Sequence, residues 1–150
     1  MGGYSFFDPS QSHFNLRRSI LTDAHGRYQF RSIMSCGYGC PPNGTTQALL
    51  NKLGRHGRRP AHVHFFVSAA GHRRLTTQIN IDGDQYLHED FAFGTRNDLI
   101  PPVEHVTDAA SIREAGLNKP FVRIGFDFRV TPEVSSAPTT VVHREHANAA

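Results

Sequence analysis

The run "FVRIGFDFRV", residues 121–130, sets Val122, Ile124, Phe126, Phe128 and Val130 against Arg123, Asp127 and Arg129. A period of two is the period of a strand, because successive side chains leave a pleated backbone on opposite faces. The run predicts a strand with one dry and one wet face, which needs strands beside it and a layer over it. Four further stretches are expected to supply them: "SHFNLRRSIL" (12–21), "GRYQFRSIM" (26–34), "AHVHFFVSA" (61–69) and "RLTTQINI" (74–81), separated by turn formers in "TDAHG", "PPNG" and "DGD". Helical periodicity is confined to 45–55 and 108–116, both short enough to be connections. The expected architecture is mostly β, a sandwich with short connecting helices. From Thr131 the sequence is small, polar and aperiodic, so the expected division is a β-sandwich over 1–130 and a loosely ordered tail over 131–150.

At 150 residues, 38% hydrophobic and 10% aromatic, the chain suits one domain with its own core. No apolar run is long enough to cross a bilayer, and "MGGYSFFDPS" lacks the charged-then-apolar layout of a secretion signal, so a soluble, cytoplasmic protein without membrane insertion is expected. The net charge of +3 is modest, and the basic runs "GRHGRRP" and "GHRR" lack interleaved aromatics, which argues for a solvated rim and against nucleic acid as a partner. Cys36 and Cys40 are too few for a disulfide scaffold and are read as reduced packing residues.

Ten histidines are the outlying count, and position decides which of them matter. In "RPAHVHFF" (59–66), His62 and His64 leave the same face of a predicted strand, roughly 7 Å apart along the backbone, while Val63 and Phe65 leave the other. Two imidazoles so placed can converge on one ion, although such a pair is equally consistent with two partly exposed strand histidines. An Fe(II) or Mn(II) cupin would add a Glu shortly after the second His, and "FFVSAAGHRRL" contains none. Tyrosinate is the other hard oxygen donor, suited to Fe(III). Tyr38, in "CGYGC", lies between two glycines that leave its ring uncrowded, whereas packing accounts adequately for Tyr28 and Tyr86. His56 and His72 read as surface residues, His143 and His146 fall in the tail, and Asp82 and Asp84 read as turn formers.

The stretches "GYSFFDPSQSHFNLRR", "TDAHGRYQFRSI", "GYG", "GRHGRRPAHVHFFVSAAGHRRLTTQIN" and "DFAFGTR" resemble the intradiol ring-cleaving dioxygenases, the catechol 1,2-dioxygenase family, over about residues 4–130. The resemblance implies a mononuclear Fe(III) held by Tyr4, Tyr38, His62 and His64, of which the residue pattern alone favours the last three. Two phenolates and one hydroxide would neutralise Fe(III), and two neutral imidazoles add no charge. It implies intradiol cleavage of catechol by O2 to cis,cis-muconate, with Tyr38 as a base and with Arg59 and Gln78 beside the substrate. Taken alone, Arg59 is one of a basic run and Gln78 a structural hydrogen-bonder.

The resemblance is to the C-terminal half of such enzymes. The helical region that in the family forms the dimer, the first sandwich strands and the loop over the substrate are absent from the match, so the sandwich is expected to be incomplete at its N-terminus. "IMSCGYG" also departs from the usual Pro-Ser before "GYG". Two function classes follow: an active Fe(III) dioxygenase, with self-association as a homo-oligomer, and a truncated non-catalytic remnant with a weak metal site. "GYGCPPNGTTQ" is closer to the catechol enzymes than to those acting on chlorocatechols or hydroxyquinol.

Overall fold

The hydrogen-bonding frame is three antiparallel two-stranded ladders in a computed structural model that describes residues 8–134. Strand β1 (Tyr38–Gly39) pairs with β2 (Arg58–Arg59), β3 (His62–Val67) with β4 (Leu75–Asn80), and β5 (Val103–Val106) with β6 (Phe121–Ile124). The mostly β expectation therefore holds at the level of short strands with few helices. Tyr4 and the tail residues 135–150, with His143 and His146, lie outside the described residues.

Helix α1 (Thr45–Lys52) and helix α2 (Ala109–Glu114) fall inside the two predicted segments. Asp108 caps α2 by accepting from the Ser111 amide at 2.8 Å, satisfying one of the donors a helix start leaves unpaired. Helix α1 starts after Gly44 without a side-chain cap and buries Leu50.

Ladder β3–β4 is the longest, with six residue pairs from His62↔Asn80 to Val67↔Leu75. Its register sorts the side chains by face. Val63, Phe65 and Val67 are half-buried on one side, while Phe66, on the histidine side, is 71% exposed. The Phe65 ring lies 4.7 Å from Phe128, 6.1 Å from Phe30 and 6.4 Å from Tyr28, so the dry face is covered by aromatic edges. The Tyr28 ring also lies 5.9 Å from Phe128, and its hydroxyl donates to the Phe126 carbonyl at 2.6 Å. The remaining core gathers around Ala61, Ile79, Ile81 and Leu87, with Pro60 and Asn80 fully enclosed.

Three expectations are corrected. Residues 12–21 form no strand: 13–16 are turns, with the Asn15 and Arg17 amides donating to the Ser12 and Phe14 carbonyls, and 17–21 take no regular form. Residues 26–34 follow no ladder; apolar alternation there reflects Tyr28 and Phe30 packing on Phe65, not pairing with a neighbour. In 121–130 the wet and dry alternation persists to Val130, but pairing stops at Ile124 because β5 is four residues long. Strand β5 itself carries no apolar alternation, since Glu104 and His105 are both exposed, and the sequence reading passed over it. At residues 131–133 the backbone is tied to the turn after β3, Arg73 donating to Thr131 at 2.9 Å and Glu133 to Gly71 at 2.8 Å.

Removing the ring at the centre of the aromatic cluster tests this packing. Phe65→Ala should lower unfolding free energy by about 2 kcal/mol, less than the roughly 3–5 kcal/mol of a fully buried Phe because Phe65 is only half-buried. Urea denaturation followed by circular dichroism measures it.

Candidate metal centre

Two registers converge on one place. In β1–β2, Tyr38 pairs with Arg59, so phenol and guanidinium share an edge. Three residues after Arg59, β3 begins, and its pairing places Asn80 opposite His62 and Gln78 opposite His64 on one face. The step between the ladders is fixed by Pro60, which is fully buried, and by Asp84, whose Oδ2 accepts from the Ala61 amide at 3.0 Å. Asp84 thus does more than form a turn. Gly37 is required beside this step, since a Cβ there would sit 2.7 Å from the Arg59 carbonyl oxygen.

The rings of His62 and His64 meet edge to face with centroids 4.8 Å apart, and Tyr38 lies 5.5 Å from His62. His62 Nδ1 is 2.7 Å from the Pro60 carbonyl oxygen. A carbonyl only accepts, so Nδ1 carries the proton and Nε2 presents a lone pair. That lone pair and the Tyr38 oxygen face the same donor, Arg59 Nη1, at 3.3 and 3.4 Å. Burial draws both histidines below their ordinary range; at His62 the Pro60 carbonyl opposes this, and at both Arg59 reinforces it. Both imidazoles are neutral at pH 7, the form in which they can donate to a metal.

The structure also enlists a residue that the sequence reading missed. Asp90 is 5% exposed and grips Arg59 side-on, Oδ1 accepting from Nε at 3.1 Å and Oδ2 from Nη2 at 3.2 Å. The Ala92 and Gly94 amides complete its coordination at 3.1 and 2.9 Å. Burial works against the charged carboxylate, but the Arg59 bonds and the two amides outweigh it and hold Asp90 below the ordinary aspartate range. Around Arg59 the same bonds, with Tyr38, overcome burial and raise the guanidinium further. Gly94 permits this approach, since a Cβ would lie 2.7 Å from Arg59 Nη2.

A direction runs through the polar network. Arg59 can only donate, so Gln78 turns its Oε1 to Arg59 Nη2 at 3.1 Å and its Nε2 to Asn80 Oδ1 at 2.9 Å. Sequence signals for Asn80 and Asp90 were present but unread. Gln78 and Asn80 repeat the two-residue spacing of His62 and His64 on the neighbouring strand, and Asp90 is the lone charge within "DFAFG".

A cavity of about 330 Å³ opens beside His64, lined among others by Gln78, Thr76, Gly94 and Arg96. Of the predicted site residues, the structure brings together Tyr38, Arg59, His62, His64 and Gln78. His72 lies apart and half-buried, its Nδ1 beside the Ala70 carbonyl, and His56 lies tilted against Tyr86, centroids 5.0 Å apart, with Nε2 3.6 Å from Glu89. Among the described residues no three His, Cys, Asp or Glu side chains are grouped to hold an ion. The assembled donors are instead a phenol oxygen and an imidazole lone pair that converge on one nitrogen, with a second neutral imidazole edge-on, a set that suits a hard trivalent cation.

The buried pair has a measurable pH signature. Asp90 ionises more readily folded than unfolded, so its contribution is complete above the ordinary aspartate range and is lost as pH falls through the lower, folded value. Asp90→Asn should lower stability by about 3 kcal/mol at pH 7. The gap to the parent should stay constant above the ordinary aspartate range and narrow as pH falls through the lowered value that Asp90 has in the folded chain. Urea titrations of both proteins across this range measure it.

The chain is similar to known proteins. The family described as Dioxygenase matches residues 1–132. Catechol 1,2-dioxygenase of Acinetobacter guillouiae is 59% identical over 138 residues, which is 92% of this chain and 45% of that protein. The catechol 1,2-dioxygenase of Acinetobacter baylyi is 52% identical over 145 residues, covering 95% of this chain and 47% of the relative. The crystal structure of wild-type Acinetobacter radioresistens catechol 1,2-dioxygenase superposes with a TM-score of 0.87 at 59% identity, over 97% of this chain and 47% of that one. A 3-chlorocatechol 1,2-dioxygenase from Rhodococcus opacus superposes at 0.78 with 30% identity, over 88% of this chain and 49% of that one. The chain thus spans about half the length of the curated relatives it matches, corresponding to their C-terminal part. With a matched family pattern over nearly all of its length, it belongs to the dioxygenase family of the catechol 1,2-dioxygenases.

Proposed function

We propose that the chain carries the iron site of an Fe(III)-dependent enzyme that cleaves catechol with O2, between the two hydroxylated carbons, to cis,cis-muconate. The observation that supports this best is that the Tyr38 oxygen and the His62 Nε2 lone pair both face Arg59 Nη1, with the His64 ring edge-on to His62, in a chain 59% identical to a catechol 1,2-dioxygenase. Tyr4 is the proposed fourth ligand, and it lies outside the described residues. The three ladders are read as parts of an intradiol-type sandwich over 1–130, with 131–150 as a tail.

Fe(III) held by Tyr38, His62 and His64 would supply Lewis acidity that withdraws electron density from the catechol ring. The protein's part is positioning, charge and proton transfer. His62 and His64 bind as neutral donors, His62 held in the correct tautomer by the Pro60 carbonyl. Tyr38 takes one catechol proton at its phenolate oxygen, which makes it base as well as ligand. Arg59 presents Nη1 toward the substrate side of Tyr38, a fixed cation for negative charge developing on the ring, and Gln78 steadies Arg59 through Oε1. The cavity beside His64 is at the small end of ligand sites, in keeping with a single-ring substrate. No described helix is long and apolar enough to cross a membrane, and the chain is read as cytoplasmic.

The chain is read as a homo-oligomer, and Phe14 (79%), Leu21 (95%), Phe66 (71%) and Phe93 (69%) are exposed apolar side chains that such a contact could cover. Analytical ultracentrifugation should find the 150-residue chain larger than its 16.7 kDa monomer, and a single monomeric species would refute this.

Substitution tests the site. Tyr38→Phe removes a ligand and a base together, and should lower muconate formation by at least roughly a hundredfold. His62→Ala and His64→Ala should instead lose iron, read by metal analysis and by the visible tyrosinate-to-Fe(III) band. Normal iron content and turnover in all three, or a chain that takes up zinc and stays colourless with ferric ion, would refute the reading.

A further inference from the structure

Arg59 poses a problem for any metal at this place. Its guanidinium is permanently charged, and Nη1 is already 3.4 Å from the Tyr38 oxygen and 3.3 Å from His62 Nε2. A cation held by those two atoms is repelled by it. Coulomb energy scales with the product of charges, so a bare trivalent ion entering the site feels three times the repulsion of a monovalent one until its anionic ligands offset it, and partial burial weakens screening by water.

We infer that Asp90 is the counter-charge that allows the Tyr38, His62 and His64 site to accept a trivalent cation beside Arg59. This rests on the ferric reading above and goes beyond it by assigning a role to a residue that is not a ligand. Three observations carry it. Asp90 meets Arg59 through two parallel bonds of 3.1 and 3.2 Å, and it forms the ion pair of Arg59 among the described residues. The side chains are 1% and 13% exposed, so neither charge is shared extensively with solvent. The carboxylate accepts four N–H groups in all, two from Arg59 and one each from the Ala92 and Gly94 amides, which leaves it saturated and fixed. Asp90 therefore balances charge in place and does not move in to coordinate. The same grip uses Nε and Nη2, so it also decides that Nη1 is the nitrogen turned toward Tyr38 and His62.

The test is ferric binding by the full chain, supplied as ferric nitrilotriacetate and read from the visible tyrosinate-to-Fe(III) band, for the parent, Asp90→Asn, Arg59→Met and the double variant. Asp90→Asn leaves Arg59 uncompensated and should weaken binding by at least roughly tenfold. Arg59→Met should keep the band, and the double variant should recover parent affinity to within about threefold, because the unbalanced cation has gone. If Asp90 only shaped the 90–94 turn, the defect would persist in the double variant, and that result overturns the inference. Unchanged binding by Asp90→Asn overturns it as well. Should Asp90→Asn fail to fold, Arg59→Met decides: an intact band supports the inference, and a lost band with parent-like circular dichroism defeats it. A parent chain with no band overturns the ferric reading and this inference together, whereas a parent band with an unaffected Asp90→Asn overturns this inference alone.

Discussion

The paired hydrogen bonds between Arg59 and Asp90 join parts of the chain that are otherwise separate. Arg59 belongs to the short β1–β2 ladder, which has only two residue pairs and little cohesion of its own. Through Asp90 it is tied to the 90–94 turn, through Gln78 to β4, and through Tyr38 back to β1. A surface ion pair would contribute little to such a junction. Here the carboxylate is enclosed and fully hydrogen-bonded, so breaking the pair would strand a charge away from water and the pieces are held to one geometry.

Strand period explains how so many polar groups reach one face. A two-residue repeat in β3 projects His62 and His64 together, and the antiparallel register projects Asn80 and Gln78 against them. A slip of one residue would exchange these four for Val63, Phe65, Ile79 and Thr77. Phe65 resists that slip by its contacts with Tyr28, Phe30 and Phe128 on the opposite face. The aromatic cluster is thus part of the machinery of the site, since the apolar face sets the register that aims the imidazoles.

The misread segments share a cause. Residues 12–21 and 26–34 have the composition of strands, yet a strand exists only where a neighbour accepts its backbone hydrogen bonds, and local pattern does not reveal the neighbour. In the described structure the first forms turns over 13–16 and no regular form beyond, and the second contributes rings to the dry side of β3. The converse holds for β5, which has no alternation to detect and owes its strand state to pairing with β6.

What the sequence determined by itself was local. The spacing in "RPAHVHFF" put two imidazoles on one face, the glycines around Tyr38 left its ring accessible, and the periodicity of 45–55 and 108–116 marked the two helices. Its motifs also carried the family. Tertiary structure decided which side chains meet. That Tyr38 and His62 share one Arg59 nitrogen depends on the buried step at Pro60 and Ala61 and on two registers, separated by up to 42 residues between Tyr38 and Asn80. That Asp90 completes the arrangement from 31 residues beyond Arg59 depends on a turn whose amides and glycine admit a buried carboxylate. Period and composition act over a few residues, whereas charge compensation is set by distance in space, and only the folded chain brings those charges together.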